Sequence, residues 1–193
     1  MPAFAGAVLC GGRSRRMGRD KALIEIGGVP LVMRVASALR DAGAVDVRTV
    51  GGDADALSRL GLRTVADRWP GAGPLGGIVT ALSETETAGT AGIVLVAACD
   101  LVDPSPATMA ATVRALRETA DASVAVPSLA GRRRWDQAAW PASALDALTR
   151  QFESGERAVH RAVSAADLTV VELHEVDPSS LVDADTPADL PPI

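Results

Sequence analysis

The sequence contains few of the residues from which zinc sites and disulfide frameworks are usually built. Its 193 residues include two cysteines, two histidines, no tyrosine and only 3% aromatic residues. Cys10 and Cys99 each end a separate apolar run; two thiols alone do not complete a zinc site, and a disulfide is not expected in a reducing compartment. We therefore expect both cysteines to be small buried core thiols. His160 and His174 lie in no motif with a carboxylate, so we expect structural or surface roles for them.

The pattern of hydrophobicity and charge argues against two kinds of binding partner. No apolar run approaches the length of a membrane-spanning helix, and the N-terminus lacks the basic region of a signal peptide. The formal net charge of −5 argues against general binding to nucleic acid. We therefore expect a cytoplasmic protein that binds neither a membrane nor nucleic acid. Residues 1–193 are sufficient for one domain, with a core of Ala, Val and Leu.

Short apolar runs alternate with helical patterns along the chain. Strands are predicted at residues 4–9, 45–50, 62–65, 93–99, 122–126 and 168–173, and helices at residues 30–42, 54–60, 78–84, 106–119, 143–152 and 157–165. Such alternation is typical of a mainly parallel sheet covered by helices. We therefore predict a single-domain, Rossmann-like, three-layer α/β/α fold with a mainly parallel twisted sheet.

The most distinctive segment is the glycine- and arginine-rich loop after the first strand, LCGGRSRRMGRDK at residues 9–21. Its paired glycines, Gly11 and Gly12, allow backbone N–H groups to approach a ligand closely. From Arg13 to Lys21 there are four arginines and one lysine against one aspartate, a local charge of +4 in an acidic protein. The loop matches neither a Walker A motif nor a dinucleotide-binding fingerprint. It favours a small polyanion, such as a nucleoside triphosphate, over the alternative of an ordinary turn with solvated arginines.

Two further features are predicted at the same edge of the sheet. The loop GAGPLGG, residues 71–77, precedes a helix and directs backbone donors toward the edge that holds the first loop. Asp100 ends the most apolar strand, and ligands of open α/β sheets lie beyond the carboxyl ends of the strands. A carboxylate that faces a triphosphate needs a divalent cation between them, so Asp100 is a candidate Mg²⁺ ligand. The alternative is that Asp100 caps the next helix, although Asp103 is the better cap candidate.

These motifs together resemble one enzyme family. The segment LCGGRSRRMGRDKAL closely resembles the signature L-x-G-G-x-S-x-R-M-G-x-D-K of the nucleotidyltransferases that make molybdopterin dinucleotides, in particular the molybdenum cofactor guanylyltransferase family. Residues 73–75 resemble its G-P-L segment, and residues 183–190, DADTPADL, resemble its closing D/N-x-D/N-T-P-E-D-L motif. The matching segments occur in the family's order and span almost the whole chain.

The resemblance implies a fold like that of nucleotide-diphospho-sugar transferases and a defined reaction. GMP would pass from GTP to the phosphate of molybdopterin carrying molybdenum, which yields the guanine dinucleotide cofactor and pyrophosphate. The implied cofactor is Mg²⁺, and molybdenum-inserting proteins and molybdoenzymes would be transient partners. Arg16, Lys21 and Asp100 would be catalytic, and Asp100 and Asp185 would hold the metal. The residues implied in nucleotide binding are Leu9, Cys10, Gly11, Gly12, Arg13, Ser14, Lys21, Asp67, Gly73, Pro74, Leu75 and Asp100.

Three other functions are alternatives to this one. The cytidylyl branch of the family typically has L-x-A-G where this chain has LCGG at residues 9–12, so Gly11 favours guanine. A related nucleotidyltransferase could act on a different phosphorylated acceptor. An inactive nucleotide-binding regulator is the third alternative, but Lys21 and Asp100 are both present, which argues against a loss of activity.

Two later segments each allow two interpretations. The arginines at residues 132–134 could bind a phosphate or a pterin while Trp135 or Trp140 stacks on a flat ring, or the segment could be a solvated hairpin tip that the tryptophans anchor to the core. Asp183 and Asp185 point the same way in an extended segment. They could both approach the metal, or they could serve only to cap a terminal helix that begins just after them.

Overall fold

The computed structural model describes residues 4–11, 20–88, 92–184 and 189. The strands are β1 (Phe4–Leu9), β2 (Glu25–Ile26), β3 (Val29–Pro30), β4 (Ala44–Val50), β5 (Arg63–Val65), β6 (Ile93–Ala98), β7 (Val124–Leu129), β8 (Arg132–Arg133), β9 (Ala139–Pro141) and β10 (Val170–Leu173). The helices are α1 (Leu31–Asp41), α2 (Ala54–Arg59), α3 (Pro74–Ala88), α4 (Pro106–Glu118), α5 (Leu145–Glu153) and α6 (Val159–Ala165). Short 3₁₀ helices lie at Lys21–Leu23, Trp135–Gln137, Ala142–Ala144 and Pro178–Leu181.

A mainly parallel sheet forms the centre of the described structure. Its strands lie in the order β10-β7-β9-β6-β1-β4-β5, and β8 pairs with β7 beside this path. Strand β9 runs antiparallel to β6 and β7, and β8 runs antiparallel to β7, whereas β1, β4, β5 and β6 are mutually parallel. Strands β2 and β3 form a separate hairpin. The four parallel strands therefore bring their carboxyl ends to one edge of the sheet, where ligands of such folds bind.

Helices cover both faces of the sheet, so the predicted three-layer α/β/α fold is confirmed. On one face, α1 and α4 belong to a core layer that includes Val8 and Val47 of the sheet. On the other face, α3, α5 and α6 pack around Trp140. The two core layers consist mainly of Ala, Val and Leu side chains, as the composition predicts. Among the helices described, none combines the length and apolar character needed to cross a membrane.

Helix α3 begins at Pro74, four residues earlier than the sequence predicts. Gly76 and Gly77 therefore lie inside the helix and not in the preceding loop. A Cβ atom at Gly76 would lie 3.3 Å from the Phe152 ring, and one at Gly77 would lie 3.3 Å from the Leu9 side chain. These two glycines thus allow α3 to pack closely against its neighbours, which is a role that turn signals alone do not predict.

Two residues near helix starts have roles other than the predicted ones. The sequence predicts Pro30 at the first helical position, but Pro30 ends β3 with an extended ψ of 141°, and α1 begins one residue later. Asp103 does not cap α4. The cap is Ser105, which stands directly before the helix and accepts a hydrogen bond on its hydroxyl from the Thr108 N–H at 3.3 Å.

Strand β9 is a short antiparallel strand that the sequence analysis does not predict. It lies between β6 and β7, with Trp140 opposite Val94 and Ala139 opposite Ala125. Three residues are too few to show a strand period, so this pairing depends on the neighbouring strands. The Trp140 side chain is fully buried in the core layer of α3, α5 and α6. The interpretation in which Trp140 stacks on a bound ring is therefore wrong.

Candidate functional site

A cavity opens at the edge where β1, β4, β5 and β6 end. This edge cavity has a volume of about 510 Å³ and is lined by Leu9, Cys10, Gly11, Asp20, Lys21, Val50, Asp67, Gly71, Gly73, Pro74, Gly77, Ala98, Cys99, Asp100 and Asp136. A second concave region of about 900 Å³ adjoins it at Gly11 and Asp67 and extends over the β4–α2 turn. Both volumes lie in the range of small-molecule sites.

Lys21 and Asp100 form an ion pair in the edge cavity, with 2.9 Å between Lys21 Nζ and Asp100 Oδ2. Asp100 is the second residue after β6, and Lys21 begins a 3₁₀ helix. Asp20 caps that helix by accepting a hydrogen bond from the Ala22 N–H at 3.0 Å. Both paired side chains are more than four-fifths buried. Their electrostatic interaction is therefore screened less by water than that of a surface ion pair.

The backbone on either side of Asp100 is held by neighbouring elements. The Cys99 N–H donates to the Leu9 carbonyl at 3.2 Å, which continues the pairing of β1 and β6 up to the cavity. Two residues beyond Asp100, the Val102 carbonyl accepts a hydrogen bond from Arg34 Nε of α1 at 3.1 Å. The strand end therefore presents its carboxylate to the cavity on a backbone that is fixed on both sides.

Asp67 follows β5 and approaches Gly11 across the wall of the edge cavity. Its Oδ1 atom accepts a hydrogen bond from the Trp69 N–H at 3.0 Å, which orients the carboxylate. Its Oδ2 atom lies toward Gly11, so that a Cβ atom at Gly11 would come within 3.3 Å of it. Gly51, with a φ of 71°, lies against the same glycine. Because Gly11 and Gly51 have no side chains, a ligand has room to reach the oriented carboxylate of Asp67, which is a hydrogen-bond acceptor.

Cys10 and Cys99 are buried free thiols in the wall of the edge cavity, as the sequence predicts. They directly follow the neighbouring strands β1 and β6, so the Cys10 thiol can act as a hydrogen-bond partner of Cys99. This hydrogen bond, together with burial, raises the pKa of the Cys99 thiol well above its ordinary value. A thiol with a raised pKa stays protonated and is a weak nucleophile. Cys99 therefore contributes an uncharged wall to the cavity.

Arg134, which follows β8, forms ion pairs with two aspartates beside the edge cavity. Its Nη2 atom lies 2.9 Å from Asp136 Oδ2 and 2.6 Å from Asp183 Oδ2. Burial alone would lower the pKa of Arg134, but the hydrogen bonds and charges of the two aspartates raise it above its ordinary value. Burial raises the pKa of Asp183 to about 6, and the charge of Asp136 adds to the rise while Arg134 opposes it. The guanidinium of Arg134 is thus engaged with carboxylates.

The hairpin of β7 and β8 is anchored to the core by tryptophan, as one of the two interpretations of this segment predicts. Trp135 is half-buried, and its ring centroid lies 6.2 Å from that of the fully buried Trp140. The Arg133 guanidinium lies 5.7 Å from the centroid of Trp135 and pairs with Glu172 at 2.7 Å. These contacts connect the hairpin to strand β10 and to the core layer.

Asp100 provides oxygen donors of the kind that bind Mg²⁺. This ion needs only one or two carboxylates when phosphate oxygens and water complete its shell. In the part of the chain that the structure describes, no group of three or more His, Cys, Asp or Glu side chains could hold a metal ion. The Oδ2 atom of Asp183 is bound by Arg134, and Asp185 lies outside the described residues. Asp100 therefore fits a metal that a substrate phosphate helps to hold.

The structure brings most of the described site residues together. Those that line the edge cavity are Leu9, Cys10, Gly11, Lys21, Asp67, Gly73, Pro74 and Asp100. Leu75 does not, because the second residue of α3 turns into the core, where it is fully buried. Asp136 also lines the cavity although the sequence does not predict it, and its one sequence signal is its place just after the arginines at residues 132–134. The predicted site residues Gly12, Arg13, Ser14, Arg16 and Asp185 lie outside the described residues, as does most of the segment predicted to form a terminal helix.

The chain is similar in sequence to a family of nucleotidyltransferases. The family model described as "MobA-like NTP transferase domain" matches residues 6–170. A relative from Opitutus terrae, named "Probable molybdenum cofactor guanylyltransferase", is 39% identical over 164 residues, which cover 84% of this chain and 79% of that protein. A relative from Mesorhizobium japonicum, named "Molybdenum cofactor guanylyltransferase", is 38% identical over 75% of this chain and 70% of its own.

The fold is also similar to a solved structure, that of molybdopterin-guanine dinucleotide biosynthesis protein A from Archaeoglobus fulgidus. The two chains have a TM-score of 0.76 and 23% sequence identity, over 96% of this chain and 94% of that one. The shared architecture therefore agrees with the family match, which extends from β1 to the start of β10. On this evidence, the chain belongs to the family of MobA-like NTP transferase domains.

Proposed function

We propose that this transferase moves GMP from GTP to the phosphate of molybdopterin, which yields the guanine dinucleotide cofactor and pyrophosphate. The observation that carries the proposal is the Lys21–Asp100 pair, at 2.9 Å, in the same cavity as Gly11 and Asp67. A cation, a carboxylate and a glycine-lined wall are what a triphosphate and its counter-ion require. The names of relatives that are 38% and 39% identical to this chain support the choice of acceptor.

The proposed cofactor is Mg²⁺, held by Asp100 and by phosphate oxygens of the nucleotide. When bound, such an ion offsets negative charge on the reacting phosphates. Asp100 suits this role because its carboxylate is largely buried and its flanking backbone is fixed. Such preorganisation avoids the cost of reorienting a ligand during the reaction. Asp185 is the proposed second carboxylate ligand.

Lys21 is the proposed source of positive charge at the phosphates. In the structure its ammonium group already lies in the edge cavity. There it would offset the charge that develops on the α-phosphate and on the departing pyrophosphate, while Arg16 would help to hold the phosphates. The attacking group is a phosphate monoester, which is largely ionised at pH 7 and therefore needs no general base. Positioning and charge neutralisation are then the main sources of catalysis.

Replacing Gly11 by Ala is expected to weaken GTP binding by about tenfold or more, the cost of one misplaced methyl group in a fitted pocket. We propose that the base binds at Gly11, where the added Cβ atom would lie 3.3 Å from Asp67 Oδ2. Titration calorimetry with GTP and CTP would measure the two dissociation constants. In the double variant Gly11→Ala/Asp67→Ala the combined loss should be smaller than the sum of the single losses. Strictly additive losses would contradict a shared contact with the base.

Thermal unfolding with GTP, CTP or ATP in the presence of Mg²⁺ tests the proposed nucleotide. A ligand that binds only the folded state adds RT ln(1 + [L]/Kd) to the free energy of unfolding, about 2.7 kcal/mol at a hundredfold excess over Kd. We expect GTP to raise the melting temperature most. A larger shift with CTP would assign the chain to the cytidylyl branch. No shift with any nucleotide would contradict nucleotide binding at this cavity.

Release of pyrophosphate from GTP in the presence of molybdopterin tests the acceptor. Release that depends on molybdopterin is the expected result. Release only with a different phosphorylated acceptor would keep the transferase chemistry and replace the substrate. If GTP bound but no acceptor led to release, the chain would be a nucleotide-binding regulator.

A further inference from the structure

Arg134 connects the edge cavity to a distant part of the chain. Its Nε and Nη2 atoms donate to the two carboxylate oxygens of Asp136, at 3.1 and 2.9 Å, and Asp136 lines the cavity. Nη2 also donates to Asp183 Oδ2 at 2.6 Å, and Nη1 donates to the Leu181 carbonyl. One guanidinium therefore holds residues 181–184, here called the C-terminal segment, against the cavity wall.

The C-terminal segment pairs with the backbone that carries Asp100. Residues 100–102 and this segment form an antiparallel bridge. The Ala184 N–H donates to the Asp100 carbonyl at 2.8 Å, and the Val102 N–H donates to the Val182 carbonyl at 3.0 Å. A shift of the C-terminal segment would therefore displace the two peptide groups that directly follow the Asp100 Cα atom.

We propose that Arg134 is a positioning residue for nucleotidyl transfer. By holding the C-terminal segment, it fixes the backbone around Asp100 and thereby the direction of the Asp100 carboxylate. The inference rests on the proposed function, since it assigns Asp100 to the transfer reaction. It adds a role for the arginine-rich stretch after β7 in which Arg134 acts through the backbone and not by direct contact with a substrate.

Arg134 also offsets negative charge next to a site for a polyanion. Asp136 and Asp183 share the Arg134 guanidinium, and the backbone of Asp183 pairs with that of Leu101, the neighbour of Asp100. The Oδ1 atom of Asp183 is buried and has no hydrogen-bond partner among the described residues, so the described partner of this carboxylate is Arg134. Loss of the guanidinium would leave two partly buried carboxylates uncompensated, and these would repel the phosphates of a nucleotide.

Lysine could supply the charge at this position but not the contacts. A guanidinium is a planar fork that donates to several acceptors in fixed directions, whereas an ammonium is a compact point charge on a flexible stem. Arg134 uses its fork on two carboxylates and one carbonyl. Arg134→Lys therefore keeps the positive charge and removes the directed hydrogen bonds of the guanidinium. Arg134→Gln removes both the charge and these hydrogen bonds.

Steady-state kinetics of these variants with GTP, Mg²⁺ and molybdopterin test the proposal. We expect kcat to fall by about 100-fold in Arg134→Gln, as expected when a reacting group is slightly misplaced. The KM for GTP should rise by a smaller factor than that by which kcat falls, because the uncompensated carboxylates repel the phosphates while Gly11 and Asp67 keep their positions. Arg134→Lys should recover only part of the rate, since restored charge does not restore the fork.

Arg48→Gln is the matched control for the loss of a half-buried ion pair. The side chain of Arg48 is 23% exposed, compared with 22% for Arg134, and it pairs with Asp46 at 2.6 Å. Among the residues that line the edge cavity, neither Arg48 nor Asp46 is present. Arg48→Gln should therefore keep the wild-type kcat, even if the variant is as much destabilised as Arg134→Gln.

Hydrogen exchange at single backbone amides provides a readout that does not depend on activity. In Arg134→Gln, the amides of Val102 and Ala184 should exchange faster, because their hydrogen bonds join the two segments. The Val96 amide, which donates to the Ala138 carbonyl inside the sheet, should be unchanged. If Arg134→Gln does not fold, Arg134→Lys is used for the same two measurements.

Three results would overturn the proposal. These are a wild-type kcat in the folded Arg134 variants, a loss of kcat equal to that in Arg48→Gln, and unchanged exchange at Val102 and Ala184. If the wild-type protein shows no transfer, the proposed function fails. The exchange measurement then decides by itself whether Arg134 holds the backbone around Asp100.

Discussion

Replacing Asp100 by Asn is expected to lower the kcat of nucleotidyl transfer by about 10²- to 10³-fold, the usual loss when one preorganised electrostatic group is removed. The amide keeps the shape of the side chain, so the packing at the end of β6 should be retained. It removes the charge that faces Lys21 Nζ at 2.9 Å. It also replaces the carboxylate proposed to hold Mg²⁺ with a weaker oxygen ligand. GTP binding should weaken less than kcat, because Gly11 and Asp67 are unaffected.

The rate of pyrophosphate release at saturating GTP, measured over a range of Mg²⁺ concentrations, checks this expectation. Asp103→Asn is the matched control, since Asp103 lies on the same loop, is 68% exposed and is 3.8 Å from Arg34. This control should keep the wild-type kcat. Full activity in Asp100→Asn would show that the Lys21–Asp100 ion pair serves the fold and not the reaction.

Replacing Trp140 by Ala is expected to lower the free energy of unfolding by about 3–5 kcal/mol. The indole is fully buried and belongs to the core layer between the sheet and helices α3, α5 and α6. Truncation leaves a cavity in a close-packed interior that can relax only partly. Urea unfolding followed by circular dichroism would give the difference from the midpoint, provided that the m-value is unchanged.

Trp140→Phe separates the effect of volume from that of the indole N–H. The Trp140 Nε1 atom is buried and has no hydrogen-bond partner within the described part of the chain. Phenylalanine keeps most of the volume and removes an unsatisfied donor, so the loss should be less than about 1.5 kcal/mol. If Trp140→Ala instead raised the KM for the acceptor and left stability unchanged, the assignment of Trp140 to the core would be wrong.

Much of the site could be predicted from the sequence because each part of it belongs to a short continuous segment. The apolar run at residues 93–99 predicts β6 and places Asp100 at its end. The glycines after the first strand predict a wall without side chains, and Gly11 provides it. In both cases a local pattern is sufficient, since parallel strands share one carboxyl edge whatever their exact packing.

The predictions that failed depended on where helices begin and on what packs against them. Leu75 lies in the core because α3 begins earlier than its turn residues indicate. Ser105 caps α4 in place of Asp103 because the helix begins directly after it. Trp140 is buried because it belongs to β9, which pairs inside the sheet but is too short to show the alternating pattern of a strand. Helix boundaries and short strands are set by neighbouring elements, and a linear pattern does not contain this information.

The sequence by itself determined the alternation of strands and helices, the family, and the edge of the sheet at which the site lies. These properties depend on local periodicity and on motifs of consecutive residues. The tertiary structure decided which side chains meet there. Lys21 pairs with Asp100 from 79 residues away, and Arg134 pairs with Asp183 from 49 residues away. Contacts at such separations depend on how the layers pack and which charges they bury together, and both are set only when the chain has folded.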